Sequence, residues 1–386
     1  MINGKFNCIV DAAHGSSAKG AVSTRLVDIF KVPNVSACNY PNAGHTTVFN
    51  GQKFIAKCLP TAAGLNMVGR GRPNLWIGPG SGFFTDQLLK ELSQTKYDRP
   101  EYGHGSLVIH ERAIHVTDRH IAMESPGGLQ STEYISSTMS GSGAAFAEKA
   151  MRRPEVKTLN TPLGSIKDIS LVRSPIKFID DVRRELAEGR TFLHEVSQGF
   201  ALSINYGTHY PYCTFRDCTP QQAYADFMLL PSMIGDVYLN VRSFPIRVGS
   251  NFDAYGKQVG YSGDFCDDQV ETTWEQIAKD AEMPSDEAAA LAERERTTVT
   301  KKIRRVATQS WSLFQNAARA TGATKLVLNF PQYIHWSAYR MRGGKEVLSK
   351  LHPKVRAYVD KMEDVTGLKV CMIGTSAEHD DYIWTE

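Results

Sequence analysis

The sequence lacks the features that mark membrane, secreted and nucleic-acid-binding proteins. No apolar run approaches the ~18 unbroken residues that a membrane span requires, and the start of the chain shows no basic segment followed by an apolar stretch and a cleavage site. The 44 lysines and arginines nearly balance the 41 aspartates and glutamates, so no strong positive field attracts nucleic acid or an anionic membrane. We therefore expect a soluble, cytoplasmic protein without nucleic-acid or membrane partners.

Cysteine pairs are missing as well. The chain has seven cysteines, an odd number, and none of them forms a Cys-x-x-Cys pair. This argues against both a disulfide framework and a structural zinc site, and it indicates a reduced compartment. Repeats and low-complexity tracts are also absent.

Short apolar stretches alternate with amphipathic helical patterns along the 386 residues. Strands are predicted at residues 6–10, 75–77, 107–109, 191–194, 245–248, 325–329 and 368–373, and a helix is predicted at residues 144–153. This alternation predicts an α/β fold with a large, mostly parallel central sheet flanked by helices. No domain boundary is visible, so we interpret residues 1–386 as a single domain.

One segment differs in composition. Residues 271–296 are charged and alanine-rich, and they predict two surface helices broken at Pro284. Thr273 and Gln276 have the spacing of a capping box at the start of the first helix.

The stretch "DAAHGSSAKG" (residues 11–20) joins the first predicted strand to a helical pattern with Val22, Leu26, Ile29 and Phe30 on one face. Its glycines allow a tight turn whose amides face an anion at the helix start, where Lys19 adds a positive charge. The same pattern also suits a plain strand–helix turn with a surface lysine, and the loop alone does not decide. It is not a Walker A loop, because the G-x-x-x-x-G-K-[ST] spacing is missing.

A second polar turn follows in "NYPNAGHTT" (residues 39–47). It places His45 between Gly44 and two threonines. A lone loop histidine is more often structural, but one that follows a phosphate loop in this setting is a candidate general acid.

The two stretches together resemble the "GDEGKGK" loop and the "NAGHT" turn of the adenylosuccinate synthetases. The resemblance continues in order through "STMSGSG" (137–143), "AMRRP" (150–154), "VSQGFAL" (196–202), "HYPYCTF" (209–215) and "TTVTKKIRR" (297–305). An ordered series over most of the chain is far more specific than any single motif. It implies an ATP- or GTP-dependent ligase that phosphorylates the 6-oxygen of a purine monophosphate and then replaces it with the amine of L-aspartate.

The resemblance also implies the site residues, a Mg²⁺ cofactor and a homodimer. The triphosphate would be bound by Gly15, Ser17, Ala18, Lys19, Gly20, Gly44, His45, Thr46 and Gln332. The purine monophosphate would be bound by Ser16, Asn42, Thr138, Gln198, Leu202, Thr214 and Lys302, and by Arg152 reaching across the dimer interface. Aspartate would be bound by Thr298, Val299, Thr300 and Arg304, whose guanidinium suits a two-pronged carboxylate contact. Ser16, Lys19 and His45 would be catalytic, and Ser16 and Gly44 would hold the metal.

Three positions depart from the ordinary family pattern. Ser16 stands where the family has an aspartate that serves as base and magnesium ligand, and an unaided serine is not a competent base. Gln332 replaces the aspartate that selects GTP, and a carboxamide suits adenine. Lys302 replaces an arginine near the ribose 2′-hydroxyl. These departures resemble the phage 2-aminoadenylosuccinate synthetases, which use dGMP to make 2-aminoadenine for viral DNA in the host cytoplasm.

The sequence therefore predicts an enzyme that joins L-aspartate to dGMP with ATP or dATP as the energy donor. Two alternatives stay open: an ordinary adenylosuccinate synthetase that uses IMP and GTP, and a nucleotide-binding homologue that has lost catalysis. The group that replaces the missing base is not identified, and Asp11 or a substrate phosphate oxygen are the candidates.

Overall fold

A large, mostly parallel sheet forms the centre of the fold. The computed structural model describes residues 4–99, 106–154, 171–297 and 301–386. In the described residues the sheet has ten strands: β1 (Phe6–Asp11), β2 (Asn34–Ala37), β3 (Asn74–Ile77), β4 (Leu107–His110), β5 (Leu171–Arg173), β6 (Phe192–Glu195), β7 (Ile234–Arg242), β8 (Lys325–Asn329), β9 (Val370–Gly374) and β10 (Tyr382–Trp384). Their order is β10-β9-β8-β7-β1-β6-β2-β3-β4-β5, and only β10 runs antiparallel to its neighbour. The predicted α/β fold is confirmed.

Helices lie on both faces of this sheet and in the segments beside it. They are α1 (Lys19–Phe30), α2 (Gly64–Met67), α3 (Thr85–Gln94), α4 (Asp118–Glu124), α5 (Ser142–Ala150), α6 (Pro175–Ala187), α7 (Pro220–Asp226), α8 (Trp274–Asp280), α9 (Ser285–Arg294), α10 (Trp311–Thr321) and α11 (Pro353–Thr366). Side chains of β1 alternate between two apolar cores: Phe6 and Cys8 pack with one and Ile9 with the other, as the two-residue period of a strand requires. None of the described helices is long and apolar enough to cross a membrane.

Short strands pair with one another around the central sheet. They pair His45–Phe49 with Gln52–Ala56, Gly82–Phe83 with Ile114–His115, and Asn251–Phe252 with Gln258–Gly260. A further small sheet joins Ile246–Arg247, Arg305–Ala307 and Glu271–Thr272. The predicted strand at 245–248 is present as Ile246–Arg247, but it belongs to this small sheet and not to the central one.

The other six predicted strands lie in the central sheet, whereas β2, β5, β7 and β10 were not predicted. Strand β7 shows why, because Asp236, Asn240 and Arg242 interrupt its apolar pattern although all three are buried. Their polar groups are satisfied inside the protein, and the sequence alone does not reveal those partners.

Helix boundaries were predicted less well than helix positions. Val22 and Leu26 of the predicted apolar face of α1 are buried, whereas Ile29 near the end of the helix is 36% exposed. Helix α5 ends at Ala150, three residues before the predicted end at residue 153. Such ends depend on contacts that a periodic pattern does not contain.

Helices α8 and α9 break at Pro284, as the composition of the 271–296 segment predicts. The capping box is only half formed, because Thr273 Oγ1 accepts a hydrogen bond from the Gln276 amide at 3.1 Å while the Gln276 side chain donates to Asp280. The pair lies at the surface, yet Trp274 and Leu291 are buried in a small apolar core of their own.

The parallel arrangement determines where a ligand site can form. The carboxyl ends of β1, β2, β6, β7, β8 and β9 meet at one edge of the sheet, and the loops that follow them lie together there. In open α/β sheets ligands bind at this edge.

Phe178 on α6 offers a test of this packing. It is fully buried, and its ring centroid lies 5.7 Å from that of Trp76 and 5.4 Å from that of Phe227. Phe178→Ala should lower the free energy of unfolding by about 3–5 kcal/mol, measured by urea denaturation. The control Ile176→Ala removes a side chain of the same helix that is 69% exposed, and should change stability by less than about 0.5 kcal/mol. If both variants changed the free energy of unfolding by the same small amount, the packing of α6 against the sheet would be contradicted.

Candidate active site

The loop between β1 and α1 has the backbone shape of an anion cradle. Gly15, Ser16 and Ala18 have φ angles of 87°, 54° and 66°, a left-handed conformation that turns successive amides toward one side. Asp11 Oδ1 accepts hydrogen bonds from the amides of Ala13 at 2.7 Å and Gly15 at 3.1 Å. We call residues 14–20 the phosphate loop.

The helix that follows leaves its first amides available. Ala18, at the start of α1, makes no side-chain capping bond, and the first turn contains no acidic residue. The positive end of the helix dipole and these free amides favour a bound anion. Lys19 is almost fully buried beside them, and its Nζ donates to the carbonyl oxygen of Gln198.

Strands β7 and β8 hold the phosphate loop from behind. Asn240 Nδ2 donates to the Ser17 carbonyl at 2.6 Å and to Ser17 Oγ at 2.8 Å, and Asn329 donates to Asn240 Oδ1 at 2.8 Å. Gly199 closes the other side, because a Cβ there would lie 2.4 Å from both Asp11 Oδ1 and the Ala13 carbonyl oxygen. The loop is therefore preorganised by side chains that are distant in sequence.

His45 is paired with a buried carboxylate. Its Nδ1 contacts Glu195 Oε1, and Thr61 Oγ1 donates to the same oxygen at 2.9 Å. Although burial raises the pKa of Glu195, His45 and Thr61 more than offset it and lower that pKa below its ordinary value. Glu195 was not predicted from the sequence, where its only signal is a carboxylate at the end of a strand three residues before Gln198. This carboxylate fixes which imidazole nitrogen faces away from it, toward the cavity.

A second buried carboxylate, Glu295, holds two arginines. Arg242 Nη2 donates to Glu295 Oε1 at 2.6 Å, Arg304 Nη1 to Oε2 at 3.2 Å, and Tyr333 Oη to Oε1 at 2.6 Å. Arg242 also donates to the Ser16 carbonyl at 2.9 Å. Burial raises the pKa of Glu295, but Arg242 and Arg304 together keep it below the ordinary value. Arg242 and Glu295 were not predicted from the sequence.

These elements surround a cavity with two lobes. The first lobe, of about 340 Å³, is lined by the phosphate loop, residues 42–46, Arg304 and Gln332. The second lobe, of about 200 Å³, is lined by Thr138, Ser142 and Thr214 among others. Six residues line both lobes, and we call them the neck: His14, Asn42, Thr138, Gln198, Leu202 and Val248.

Hydroxyl and amide groups are concentrated in the second lobe. The Asn42 amide donates to Ser142 Oγ at 3.2 Å, and Asn42 Nδ2 lies 3.5 Å from Thr214 Oγ1. Thr138 Oγ1 and Ser140 Oγ are 3.1 Å apart. Glu124 accepts from the amides of Gly141 and Ala144 and so fixes the start of α5. Such a set of donors suits a phosphate group.

Most of the predicted site residues lie around this cavity. Those lining one or both lobes are Gly15, Ser16, Ser17, Ala18, Lys19, Gly20, Asn42, Gly44, His45, Thr46, Thr138, Gln198, Leu202, Thr214, Arg304 and Gln332. Lys302 lines neither lobe and instead donates to Asn251 Oδ1. Arg152 is exposed outside both lobes, and Thr298, Val299 and Thr300 lie outside the described residues.

Several buried polar atoms of the cavity wall have no hydrogen-bond partner among the described residues: the amide oxygen of Gln332, both ring nitrogens of His14, Thr132 Oγ1, Arg247 Nη1 and Arg304 Nε. His14 is 6% exposed. Burial lowers the pKa of His14 well below its ordinary value, and the positive charge of Arg247 lowers it further. Asp11, a candidate base from the sequence, is committed to the loop amides and lines neither lobe.

The donor set accommodates a magnesium ion only together with a ligand. No group of three or more His, Cys, Asp or Glu side chains in the described parts of the chain could hold a metal. Ser16 and Gly44 line the first lobe beside the phosphate loop and provide oxygen donors. Mg²⁺ usually keeps phosphate oxygens and waters and needs few protein ligands, so these residues fit a phosphate-bound Mg²⁺.

Fold and site together define a class. A glycine-containing phosphate loop at a helix start, an imidazole–carboxylate pair and a two-lobed cavity at the carboxyl ends of a parallel sheet are the parts of an enzyme that binds two nucleotides side by side.

Comparisons with known proteins give the family. A sequence model described as adenylosuccinate synthetase matches residues 8–161. The N6-succino-2-amino-2′-deoxyadenylate synthase of Vibrio phage phiVC8 is 31% identical over 334 residues, covering 84% of this chain and 85% of that protein. The adenylosuccinate synthetase of Methanocaldococcus jannaschii is 29% identical over 377 residues, covering 96% and 94%. The chain belongs to the adenylosuccinate synthetase family and is a ligase that forms a carbon–nitrogen bond.

A solved structure extends this likeness over the whole fold. The succinoaminodeoxyadenylate synthetase (PurZ) of cyanophage S-2L, bound to dGMP and to dATP as an energy donor, superimposes with a TM-score of 0.77 at 27% identity. The match covers 98% of this chain and 95% of that chain.

The buried Glu295 predicts a pH dependence of stability. Its pKa is lower in the folded protein than the value of about 4.3 of an unfolded glutamate. It therefore stabilises the fold fully above that value, and the contribution is lost as the pH falls through the lower, folded pKa. Glu295→Gln should make the decline in unfolding free energy between pH 6 and pH 3 shallower than in the parent protein, as measured by urea denaturation across that pH range. The exposed Glu275→Gln is the control, and an unchanged slope in Glu295→Gln would contradict this role.

Proposed function

We propose that this chain joins L-aspartate to dGMP at the expense of ATP or dATP. The γ-phosphoryl group is transferred to the 6-oxygen of guanine, and the amine of aspartate then displaces that phosphate at carbon six. The products are 2-amino-2′-deoxy-N6-succinyladenylate, the nucleoside diphosphate and phosphate. Such a product serves the synthesis of DNA that contains 2-aminoadenine, in the cytoplasm of an infected host.

The lack of a free carboxylate in the cavity wall carries this proposal. Among the described lining residues the only carboxylates are Glu124, bound to two amides, and Glu295, bound to two arginines. Ser16 occupies the loop position of the family aspartate, and it is exposed to the cavity. A serine leaves room for the 2-amino group of guanine where an aspartate would fill the space.

The first lobe suits the triphosphate. Lys19 and the free amides of α1 would steady the transferred phosphoryl group. Gln332 presents a buried, unpaired amide oxygen that can accept from the adenine 6-amino group, while its amide nitrogen donates to a ring nitrogen. This supports ATP or dATP over GTP.

His45 would donate a hydrogen bond to the purine 6-oxygen as it becomes part of the leaving group. Glu195 contacts Nδ1 and holds the orientation of the imidazole, so that the other ring nitrogen faces the cavity. A Mg²⁺ held by the phosphates, Gly44 and Ser16 would neutralise charge on the phosphate oxygens. Arg304, with Thr298, Val299 and Thr300, would bind the carboxylates of aspartate.

The second lobe suits the 5′-phosphate, with Thr138, Thr214 and Asn42 as donors. Arg152 lies outside the lobe, so its proposed contact requires a second copy of the chain in a homodimer. Lys302 would have to exchange its bond to Asn251 for one to the sugar.

The alternative of an ordinary synthetase using IMP and GTP has less support, because no carboxylate stands at Ser16 or Gln332. The alternative of a catalytically inactive homologue is disfavoured by the intact pairing of His45 with Glu195 and by the buried Lys19.

A substrate matrix tests the proposal directly. Phosphate release should require dGMP, L-aspartate, Mg²⁺ and ATP together, and mass spectrometry should detect the succinylated product. Faster turnover with IMP than with dGMP would overturn the substrate assignment. Binding of dGMP without product under any nucleotide pairing would favour the inactive homologue.

His45 is the sharpest single test of the chemistry. His45→Ala should lower kcat by ~10²–10⁴-fold, because general acid catalysis contributes about that much. The dissociation constant of dGMP, measured by calorimetry, should change little, since the imidazole acts mainly on the departing oxygen. Wild-type kcat in the variant would reduce His45 to a structural turn residue.

A further inference from the structure

We infer that His14 is a specificity-determining residue that reads the 2-amino edge of the purine at the neck. The inference rests on the proposed function and names a residue that the family motifs do not assign. His14 acts as a hydrogen-bonding group, and no proton transfer to or from it is involved.

The location of the purine follows from the shape of the cavity. Among the described residues, the triphosphate lobe and the monophosphate lobe share only the lining residues of the neck, and the phosphoryl group must pass from one nucleotide to the other. The purine ring therefore has to lie at the neck, where Leu202 and Val248 provide apolar faces and His14, Gln198 and Asn42 provide polar groups. His14 is separated from Ser16 by a single residue, Gly15, in left-handed conformation.

The state of the His14 ring is the second observation. It packs edge-on against Phe265, with ring centroids 6.4 Å apart, which holds the imidazole in place. Both ring nitrogens are buried without a partner among the described residues. A buried polar group left unpaired costs about 1–3 kcal/mol, and a bound ligand that supplies the missing partner regains this free energy.

The chemistry of the ring matches guanine better than hypoxanthine. An imidazole with one ring proton offers a donor at one nitrogen and an acceptor at the other. The acceptor nitrogen can accept a hydrogen bond from the 2-amino group of guanine. Hypoxanthine lacks this amino group. Such a site binds weakly any analogue that leaves the polar group of the protein unpaired.

The experiment compares dGMP with dIMP, which differ only in the 2-amino group. His14→Phe keeps an aromatic ring of similar size but has no ring nitrogens. We expect its kcat/KM for dGMP to fall by about 10–100-fold, the equivalent of one buried hydrogen bond. The value for dIMP should change by less than about threefold, so that the preference for dGMP collapses. Dissociation constants measured by calorimetry without ATP should show the same loss of preference.

Two further variants separate recognition from packing. His14→Gln restores an acceptor and should recover part of the preference for dGMP. Phe265→Leu alters the packing against the ring but leaves both nitrogens, and it should keep the wild-type ratio of dGMP to dIMP.

The outcomes distinguish this inference from the proposed function. Wild-type protein that fails to use dGMP overturns the proposed function. Wild-type protein that prefers dGMP, with the same preference in His14→Phe, overturns only the role of His14. Equal losses for dGMP and dIMP in His14→Phe also overturn it, because they indicate a packing role.

Discussion

The ion pair between Arg242 and Glu295 is the contact on which the arrangement of the site depends. It is buried, and breaking such a pair by removing one partner is costly because the other charge stays behind. Every nitrogen of Arg242 has an acceptor: the carbonyls of Phe244 and Ser16 and the Glu295 carboxylate. Its guanidinium also lies 4.2 Å from the centroid of the Phe330 ring. One residue at the end of β7 thereby connects the phosphate loop, Arg304 and the turn that carries Gln332.

The polar groups in and behind the cavity wall fall into two sets: those that are paired with other protein groups, and those that have no partner in the part of the chain that the structure describes. Glu124, Glu195 and Glu295 have both carboxylate oxygens paired with protein groups, and Asp11 Oδ1 accepts from two loop amides. His14 and the amide oxygen of Gln332 have none in the described residues. Because buried polar groups in native proteins are nearly always paired, the unpaired atoms of these two residues support the proposal that they recognise the bases of the substrates.

The sequence predicted the parts of the site that consist of local motifs. The phosphate loop, the turn at His45 and the neck residues Gln198 and Leu202 each lie in a short stretch with its own pattern. Glu195 and Arg242 were missed because each sits at the end of a strand, and its role appears only when a distant segment packs against it. The same reason explains the missed strand β7, whose buried polar side chains are satisfied by residues far along the chain.

The order of strands in the sheet has a consequence for how the protein is made. Strand β1 begins at residue 6, yet its neighbours β6 and β7 begin at residues 192 and 234, and the cavity wall reaches Gly374 and Ala377. Closing such long loops is slow, and the apolar edges of β1 stay unpaired until its partners arrive. During ribosomal synthesis the nucleotide cavity cannot be complete until residues 374–377 have been added, so nascent or truncated chains that end before them lack the assembled catalytic centre.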